Sequence, residues 1–514
     1  MKRPTLVSQG TLNRILQAAE QAWHQKDFQQ NIELLERASR LDPANTGILF
    51  QLGRMQGLRF DYAAAERCFE RAIRLSPRKT EAMSMAGAHS RDFRNPELGE
   101  RYLKNAADQP DATPEMLADL AELCERQRRL SEAGQLIERA LKLNPDSPLA
   151  RLGRARLERQ AKRLDAAEQL LRSFPANTQR QVLVRAKYEL GGILDRQGRY
   201  DEAMAMFLEA KALLRTDAAP FANGLQTIHA RLSHLAKSFD PQIFQRWLAD
   251  GQHFQPPQRL ALLGGHPRSG TTLLEQVLDS HPDIISAEET EIFLDETYIP
   301  LSRKLPPNSL MVPVLDAAST DELRKARATY FRSMELSLGQ PIAGRLLIDK
   351  NPSFTFLVPA LVRIFPEIKL LIALRDPRDV ILSCFMQPFF VIAQTNSAYL
   401  TLGGAAEEYA AVMGVWLAIK PLLQNHWLEV RYEDMVADLE TVSRRTLDFL
   451  DMPWNARVLG FDEHARQKNV RSPTYADVTQ PVYKSAMGRW RHYQKYLEPH
   501  QATLEPLVKA FGYE

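Results

Sequence analysis

The first half of the chain repeats itself in steps of 34 residues. Tripeptides of the form Leu-x-Pro begin at Leu41, Leu75 and Leu143, which are separated by 34 and 68 residues. Alanines keep the same phase at positions 38, 72, 106 and 140. This periodicity constrains the fold strongly, because a self-similar unit of this length buries its apolar face only by stacking on its neighbours.

Each copy has the pattern of two helices joined by a turn. In residues 46–79, apolar side chains recur at helical spacing, residues 60–62 supply the turn, and Pro77 ends the second helix because proline cannot continue one. A further copy at residues 190–210 is offset by four periods plus two residues. The sequence therefore predicts an α-solenoid of about six helix pairs over residues 12–214.

These units resemble tetratricopeptide repeats, with a generic helical bundle as the alternative. The resemblance implies a solenoid surface that docks a protein or peptide. Residues 1–214 are accordingly predicted to form a tetratricopeptide-repeat domain, and residues 215–258 a connecting helical segment. Because a docking surface implies no chemistry by itself, any reaction is expected in the second half of the chain.

The character of the sequence changes at Arg259, where short apolar runs begin to alternate with helical patterns. Four runs fit buried parallel strands, and they are residues 260–264, 346–348, 370–374 and 427–430. Helices are predicted between them, near residues 321–338, 354–364, 377–386, 405–423 and 435–450. This alternation predicts an α/β/α layered domain with a parallel sheet over residues 259–514.

A basic residue follows each predicted strand. These residues are Arg268, Lys350, Arg375 and Arg431. Because ligands of parallel sheets bind at the carboxyl ends of the strands, the four side chains are expected at one edge of the sheet. Their charges predict a polyanionic ligand.

The strongest local motif is the loop after the first strand, Arg268-Ser269-Gly270-Thr271-Thr272. Gly270 allows a tight turn, the N–H groups that open the following helix favour a phosphate or sulfate, and Arg268 adds a fixed positive charge. A Walker A loop would carry Gly-Lys-Ser/Thr, and the missing lysine argues against a nucleotide kinase. An ordinary strand–turn–helix connection is the alternative interpretation of this loop.

Longer stretches around the loop resemble the sulfotransferase family. Residues 267–273, 278–282 and 288–290 are similar in amino-acid sequence and spacing to tyrosylprotein sulfotransferases. Repeats joined to such a domain also resemble a bacterial group of repeat-containing sulfotransferases. The resemblance implies a phosphate-loop-like domain that uses 3′-phosphoadenosine 5′-phosphosulfate (PAPS) as sulfuryl donor and no metal. It assigns the phosphosulfate to Arg268, Ser269, Gly270, Thr271 and Thr272, and the 3′-phosphate to Arg375 and Ser383.

The same resemblance assigns the chemistry. It places the general base at Glu289 and the cation that stabilises the leaving phosphate at Lys350. It also places Tyr432 near the adenine, and Lys484 and Arg489 in a C-terminal segment that covers the donor.

Alternative roles for these residues stay open. Glu289 is alternatively a helix cap, and Lys350 a structural ion-pair partner. His266 or His281 is the competing base, since many small-molecule sulfotransferases resemble a histidine-based design. Gln387 is a departure, because the tyrosylprotein type has a basic side chain at this position.

Net charge, cysteine content and the N-terminal sequence predict which kinds of partner the protein binds and in which compartment it lies. The chain has 66 basic and 63 acidic residues, and a net charge of +3 argues against a polybasic surface for nucleic acid or anionic membrane. Cys68, Cys124 and Cys384 have neither a disulfide framework nor zinc spacing, which indicates a reducing compartment. Without a signal-peptide pattern or an apolar run long enough to span a bilayer, a cytoplasmic location is predicted.

Together these patterns predict a sulfotransferase that moves a sulfuryl group to an acceptor hydroxyl, with the repeats docking substrate or partner. The acceptor stays open among a protein tyrosine, a sugar and a small phenol. The alternative function is a non-catalytic repeat scaffold with a nucleotide-binding sulfotransferase-like domain. Joint retention of the proposed site residues favours the enzyme, and these are Arg268, Glu289, Lys350, Arg375 and Ser383.

Overall fold

The computed structural model describes residues 6–251, 254, 257–306, 308–391, 393–424, 426–467 and 486–513. The chain divides into two compact units. The first comprises Met1–Val182 with Leu336–Leu338, and the second comprises Leu183–Glu335 with Gly339–Glu514.

The first unit is built from helices that pack in consecutive pairs. These helices are α1 (Leu6–His24), α2 (Phe28–Leu41), α3 (Thr46–Leu58), α4 (Tyr62–Leu75), α5 (Lys79–His89), α6 (Pro96–Ala107), α7 (Pro114–Arg126), α8 (Leu130–Leu143), α9 (Pro148–Gln160) and α10 (Leu164–Arg172). The next helix, α11 (Arg180–Arg196), begins at the end of this unit and continues in the second unit, where α12 (Tyr200–Ala218) follows it. The predicted α-solenoid is confirmed.

The turn between the two helices of a pair recurs with one backbone geometry. A residue with left-handed φ stands at the same place in the turns of five pairs, and these residues are Lys26 (φ 59°), Phe60 (70°), Arg128 (63°), Lys162 (61°) and Gly198 (75°). In the described turn between α5 and α6 no residue has a positive φ. After a left-handed residue, the next residue donates its N–H five positions back, as Asp61 does to the Gln56 carbonyl at 3.0 Å. This Schellman arrangement satisfies the carbonyls that end the first helix. Asp61 also caps the second helix, because its side chain accepts from the Ala64 N–H.

Close packing within a pair depends on a glycine of the first helix. A Cβ atom added at Gly53 would lie 2.6 Å from Cε1 of the fully buried Phe69. A Cβ atom added at Gly191 would lie 2.7 Å from the same ring atom of Phe207. In both pairs the phenylalanine follows the glycine by 16 positions. Each of these repeat units therefore carries both partners of the contact, the glycine and the aromatic ring that packs on it.

Within the described residues, the second unit contains a five-stranded parallel sheet. Its strands are β1 (Leu260–Gly265), β2 (Ile284–Glu288), β3 (Leu346–Lys350), β4 (Lys369–Leu374) and β5 (Trp427–Arg431). They lie in the order β2-β3-β1-β4-β5, and every neighbouring pair is parallel. The predicted α/β class with a parallel sheet is confirmed.

Helices cover this sheet and extend to the end of the chain. Those that follow α12 are α13 (Ala222–Lys237), α14 (Pro241–Gly251), α15 (Thr271–Asp279), α16 (Ile299–Ser302), α17 (Met311–Ala317), α18 (Thr320–Leu338), α19 (Val358–Ile364), α20 (Pro377–Phe385), α21 (Gln394–Ala398), α22 (Leu402–Ile419), α23 (Tyr432–Ala437), α24 (Leu439–Phe449), α25 (Phe461–Gln467), α26 (Gln494–Leu497) and α27 (Gln501–Ala510). Among the residues that the structure describes, no helix has the length and apolar character needed to cross a membrane.

The strand β2 was not predicted from the sequence. Only two of its five residues, Ile284 and Ile285, are strong strand formers, and Ser286 and Ala287 interrupt the apolar pattern. All five residues are nevertheless buried, because β2 pairs with β3 and packs against α15. As a result, Glu289 follows the carboxyl end of a strand.

The strands β1 and β4 are neighbours from which the chain leaves in opposite directions. From β1 it passes through α15 toward β2, whereas from β4 it passes through α20 toward β5 at the other end of the sheet. Such a switch point is where open α/β sheets bind ligands. The register pairs Gly265 with Ala373, so the loops after both strands begin at the same level.

One face of the sheet holds the helix that follows β1. Ala261 and Leu263 of β1 share a buried core with Leu274 and Val277 of α15. Tyr432, the first residue of α23, belongs to the same core. The loop between β1 and α15 is therefore held at both ends by packed elements.

The helices α11 and α12 have the form of a repeat but belong to the second compact unit. Lys211 of α12 is buried there, and its Nζ donates to the Gln387 carbonyl at 3.3 Å. The first compact unit thus ends at Val182, whereas the repeat region predicted from the sequence ends at residue 214. The domain boundaries predicted at residues 214 and 258 stay predictions.

Candidate active site

The loop after β1 takes a backbone path that few residues adopt. Arg268 and Gly270 have φ values of 75° and 90°. A Cβ atom at Gly270 would also lie 2.7 Å from Cδ2 of Tyr432, so this position requires glycine. Immediately afterwards α15 begins, and the first N–H groups of a helix have no intrahelical acceptor. The loop therefore presents a helix N-terminus to the edge of the sheet, which favours an anion.

Side chains from three elements meet over this loop. Arg268 donates from Nε to Oγ of Ser383 in α20 at 3.0 Å. Arg375, directly after β4, donates from Nη1 to the Arg268 carbonyl at 3.3 Å. The guanidinium carbon of Arg375 lies 5.2 Å from the centre of the Tyr432 ring. The structure thus brings together four predicted donor-binding residues, and the remaining polar loop residues are buried beside them, namely Ser269, Thr271 and Thr272.

A buried lysine with three carboxylates lies at the end of β3. The Nζ atom of Lys350 is 2.7 Å from Oε1 of Glu289, and 3.5 Å from one oxygen each of Glu275 and Glu288. In the sheet register Glu288 lies opposite Lys350, while Glu275 comes from α15. Strand pairing and the helix after β1 therefore assemble this cluster together.

The electrostatics of the cluster keep Lys350 positively charged. Burial by itself lowers the pKa of a lysine, but the charges of Glu275, Glu289 and Glu288 outweigh burial and raise the pKa of Lys350. Ser286 donates from Oγ to Glu275 at 2.9 Å, which orients that carboxylate. Lys350 is therefore a cation buried among three carboxylates.

Glu289 is the exposed member of the cluster. Its side chain is 48% exposed, whereas that of Lys350 is 0% exposed. Glu289 has a φ of 46°, and its N–H donates to the Lys350 carbonyl at 2.7 Å. Asn351 holds the next turn, because its side-chain amide donates to the Thr290 carbonyl at 2.9 Å. Glu289 is therefore fixed by its backbone, while its carboxylate stays accessible.

The two histidines considered as alternative bases are buried. Both ring nitrogens of His281 are engaged, since Nε2 lies 2.9 Å from the Pro453 carbonyl and Nδ1 accepts from the Asp283 N–H at 3.1 Å. Burial lowers the pKa of His266 to about 4. These contacts give His281 a structural role and keep His266 neutral near pH 7.

The predicted donor-covering segment is described only in part. Lys484 lies outside the described residues. Arg489 contacts Asp195 of α11, with Nε 3.1 Å from Oδ1 and Nη2 2.8 Å from Oδ2. The predicted donor-binding side chain of Arg489 thus forms an ion pair with Asp195 of the α11–α12 helix pair.

Two buried acids of the site escaped the sequence analysis. Glu275 stands among Leu273, Leu274 and Val277 in α15, and a lone acid in an apolar helix was the available signal. Asp379, near the start of α20, accepts the N–H groups of two residues from the C-terminal segment. That second role depends on a contact across more than 100 positions, which no local pattern indicates.

Family models of two kinds match different parts of the chain. A sulfotransferase family model matches residues 261–456, and tetratricopeptide-repeat models match residues 85–148, 126–186 and 180–223. The sulfotransferase match contains the loop after β1, the Lys350 cluster, Arg375 and Tyr432.

Individual proteins are similar at low identity. An uncharacterised protein of Aquifex aeolicus (strain VF5) is 25% identical over 80% of this chain, which spans about half, 52%, of that protein. Protein-tyrosine sulfotransferase 1 of Danio rerio is 28% identical over 52% of this chain and 77% of its own length. Among solved structures, the sulfotransferase domain of the Synechococcus PCC 7002 olefin synthase is 23% identical over 50% of this chain and 96% of its own, with a TM-score of 0.36.

Proposed function

We propose that this chain, which carries tetratricopeptide repeats and a sulfotransferase-family domain, transfers a sulfuryl group from PAPS to an acceptor hydroxyl. One observation carries the proposal. The anion-binding loop, whose Arg268 contacts both Arg375 and Ser383, and the Lys350–Glu289 ion pair lie at the carboxyl edge of one sheet. Such a site combines polyanion binding with an accessible carboxylate, which is what transfer of a charged group to a hydroxyl requires.

Donor binding is assigned to the residues around the switch point. Residues 268–272 would hold the 5′-phosphosulfate at the start of α15, and Arg375 with Ser383 would hold the 3′-phosphate. Tyr432 lies beside Gly270 of the loop and beside Arg375, and it is proposed to contact the adenine. Lys484 and Arg489 remain proposed donor contacts on the family resemblance alone. PAPS, when bound, supplies the sulfuryl group.

Glu289 and Lys350 would share the chemical step. Glu289 takes the proton of the acceptor hydroxyl as the acceptor oxygen bonds to sulfur, and the bond between sulfur and the phosphate oxygen breaks. Lys350 stabilises the negative charge that develops on that phosphate oxygen. The 2.7 Å ion pair between the two residues must open when substrates enter, and Glu275 and Glu288 then keep a negative charge beside Lys350.

The acceptor and the partners are proposed more broadly. Similarity to protein-tyrosine sulfotransferases supports a tyrosine of a protein or peptide as acceptor. The repeats are proposed to dock that substrate or a partner protein, as solenoids of this type present extended surfaces. A cytoplasmic location remains a prediction from the sequence.

Binding of the donor product tests the first half of this proposal. Full-length protein is titrated with adenosine 3′,5′-bisphosphate and with ATP, and the bisphosphate is expected to bind more tightly. Arg375→Ala should weaken bisphosphate binding roughly tenfold to a hundredfold, because hydrogen bonds to charged groups are strong. Arg324→Ala, on the exposed surface of α18, is the matched control and should leave affinity unchanged. Equal affinity for ATP and bisphosphate would contradict the donor assignment.

Transfer of labelled sulfate tests the second half. Protein with ³⁵S-labelled PAPS is offered a tyrosine peptide, a sugar and a small phenol. Incorporation into any one of them, lost in Glu289→Gln, supports the enzyme and names the acceptor class. Tight bisphosphate binding with no incorporation into the three acceptors would favour the non-catalytic scaffold.

A further inference from the structure

One carboxylate of α11 holds the C-terminal segment, defined here as residues 486–496. Asp195 accepts from Nε of Arg489 at 3.1 Å and from the hydroxyl of Tyr493 at 2.6 Å through Oδ1, while its Oδ2 lies 2.8 Å from Nη2 of Arg489. The Asp195 side chain is only 14% exposed, and Tyr493 is fully buried. A two-point arginine–carboxylate pair in such surroundings fixes geometry as well as charge.

Further contacts join the same helix pair to the same segment. The rings of Tyr200 and His492 stack with their centres 4.2 Å apart and an interplanar angle of 11°. Asp201 pairs with Lys495 at 2.8 Å and accepts from the Tyr496 hydroxyl at 3.1 Å. The start of α12 therefore extends the contact that Asp195 begins.

The beginning of the C-terminal segment is tied to the candidate donor site. Arg375 donates from Nη2 to the Ala486 carbonyl. Both oxygens of Asp379 accept from the segment, from the Gly488 N–H at 2.7 Å and the Trp490 N–H at 2.8 Å. Asp379 also lies 3.7 Å from Arg375. The segment thus lies against the residue assigned to the 3′-phosphate.

A continuous set of contacts consequently runs from α11 to Arg375. Resting on the function proposed above, we propose that the α11–α12 pair is a working part of the donor site, with Asp195 as a positioning residue for the C-terminal segment. Asp195 fixes Arg489 and Tyr493, and residues 486–490 in turn hold the guanidinium of Arg375. A tetratricopeptide-repeat model matches residues 180–223, and in this proposal the helix pair also contributes to donor binding.

Loss of the Asp195 charge should therefore act on the donor specifically. In Asp195→Asn an NH2 group replaces one carboxylate oxygen, so Arg489 loses the two-point contact, and the buried Tyr493 hydroxyl loses its charged acceptor. The segment then holds Arg375 less well, and donor binding must repay the ordering that Asp195 supplied. The acceptor is proposed to meet Glu289, whose ion pair is with Lys350, so acceptor binding should depend less on Asp195.

The test uses full-length variants and adenosine 3′,5′-bisphosphate as probe. Asp195→Asn should weaken bisphosphate binding roughly tenfold and raise the KM for PAPS, with the KM for the acceptor unchanged. Asp195→Glu, which keeps the charge, should restore much of the affinity. Asp321→Asn, which removes an exposed ion pair with Arg324 at the start of α18, is the matched control and should bind as wild type does.

Tyr493→Phe provides a second variant of nearly the same shape in case Asp195→Asn fails to fold. It removes one hydrogen bond to Asp195 and should weaken bisphosphate binding a few-fold. Wild-type affinity in the folded variants would overturn the inference. Equal loss in Asp195→Asn and Asp321→Asn would overturn it too, because a general loosening of the protein would then explain both. A wild-type protein that binds no bisphosphate would instead overturn the proposed function, so the two failures are distinguishable.

Discussion

Glu288 and Glu289 are adjacent in the chain but have different surroundings. Glu288 is buried at the end of β2, where its carboxylate lies 3.5 Å from Lys350 Nζ. Glu289 turns out of the strand with positive φ and exposes almost half of its side chain. Only Glu289 can therefore present a carboxylate to an acceptor without rearrangement of the sheet.

This difference predicts the outcome of paired substitutions. Glu289→Gln keeps the shape but cannot accept a proton, so turnover should fall by roughly 10²–10⁴-fold while bisphosphate affinity changes little. Glu288→Gln is the control and should lower turnover much less. The measurement is steady-state transfer from PAPS alongside calorimetric bisphosphate binding.

His281 supplies the opposing outcome for that pair. If Glu289→Gln retains near wild-type turnover while His281→Ala loses it without loss of folding, the base is the histidine and the assignment of Glu289 is wrong. The contacts of both His281 ring nitrogens argue against this outcome.

Lys211 is a buried cation that lacks a carboxylate close by among its described contacts. Its Nζ donates to the Gln387 carbonyl and lies 5.3 Å and 5.1 Å from the ring centres of Tyr188 and Phe385. Burial lowers the pKa of Lys211 from 10.5 to about 7, a change that the nearby Cys384 opposes. Below pH 7 the folded protein therefore carries the full cost of a buried charge.

A pH dependence of stability follows from that shift. Between about pH 7 and pH 10.5 the unfolded chain binds a proton at this lysine and the folded chain does not, so the free energy of unfolding rises with pH in this window. Lys211→Met should raise that free energy by about 1–3 kcal/mol at pH 7 and flatten its rise toward pH 10.

Chemical denaturation at pH 7, 8.5 and 10 measures the effect of Lys211→Met. Lys325→Met, an exposed change on α18, is the control and should alter stability little at any of these values. A destabilised Lys211→Met protein with an unchanged pH profile would show that the charged amine is well accommodated.

At the scale of the elements, the repeat pairs depend on helix contacts that a methyl group would disturb. Gly53 faces Phe69, whose ring is surrounded by Phe50, Phe93 and Tyr102 with centre distances of 5.9–6.3 Å. Because these neighbours restrict the ring, Phe69 cannot move away at little cost.

Two glycine-to-alanine substitutions distinguish the effect of this packing contact on stability from the effect of helix propensity. Alanine stabilises a helix interior by about 0.5–1 kcal/mol relative to glycine, and Gly134→Ala should show that gain because nothing lies within 4 Å of its added Cβ. Gly53→Ala should instead destabilise by about 1–3 kcal/mol, since overpacking outweighs propensity. Thermal unfolding followed by circular dichroism compares the two, and equal stabilisation would contradict the packing argument.

In the whole molecule, the α11–α12 helix pair belongs, from Leu183 onward, to the same compact unit as the parallel sheet. Lys211 and Asp195 have their described partners in the second unit, although both stand in the residues assigned to the repeats. The sequence-based boundary at residue 214 would therefore cut a packed unit, whereas the contact boundary after Val182 would not.

Two truncations discriminate between these boundaries. A chain of residues 180–514, which keeps α11 and α12 whole, should bind adenosine 3′,5′-bisphosphate nearly as well as the full protein. A chain of residues 215–514 loses the Asp195 contacts and uncovers apolar surface, so it should bind far more weakly or aggregate. Equal binding by both chains would support the sequence-based boundary.

The repeat architecture could be predicted because its determinants are local and recur. A 34-residue period, helix-ending prolines and turn residues such as Phe60 each act within one unit, so their pattern survives in a single sequence. The four predicted strands and the loop at residues 268–272 are likewise short continuous signals. The family resemblance also predicts that Arg268, Glu289, Lys350, Arg375 and Ser383 belong to one site.

The two fold classes could be predicted from short stretches of sequence, because propensity, periodicity and turn chemistry are properties of neighbouring residues. The structure adds that β2 is a strand, that Glu275 joins the Lys350 cluster and that Asp195 holds Arg489. Each of these depends on a partner distant in the chain. Burial and pairing across the fold, which local propensity does not encode, supply their stabilisation.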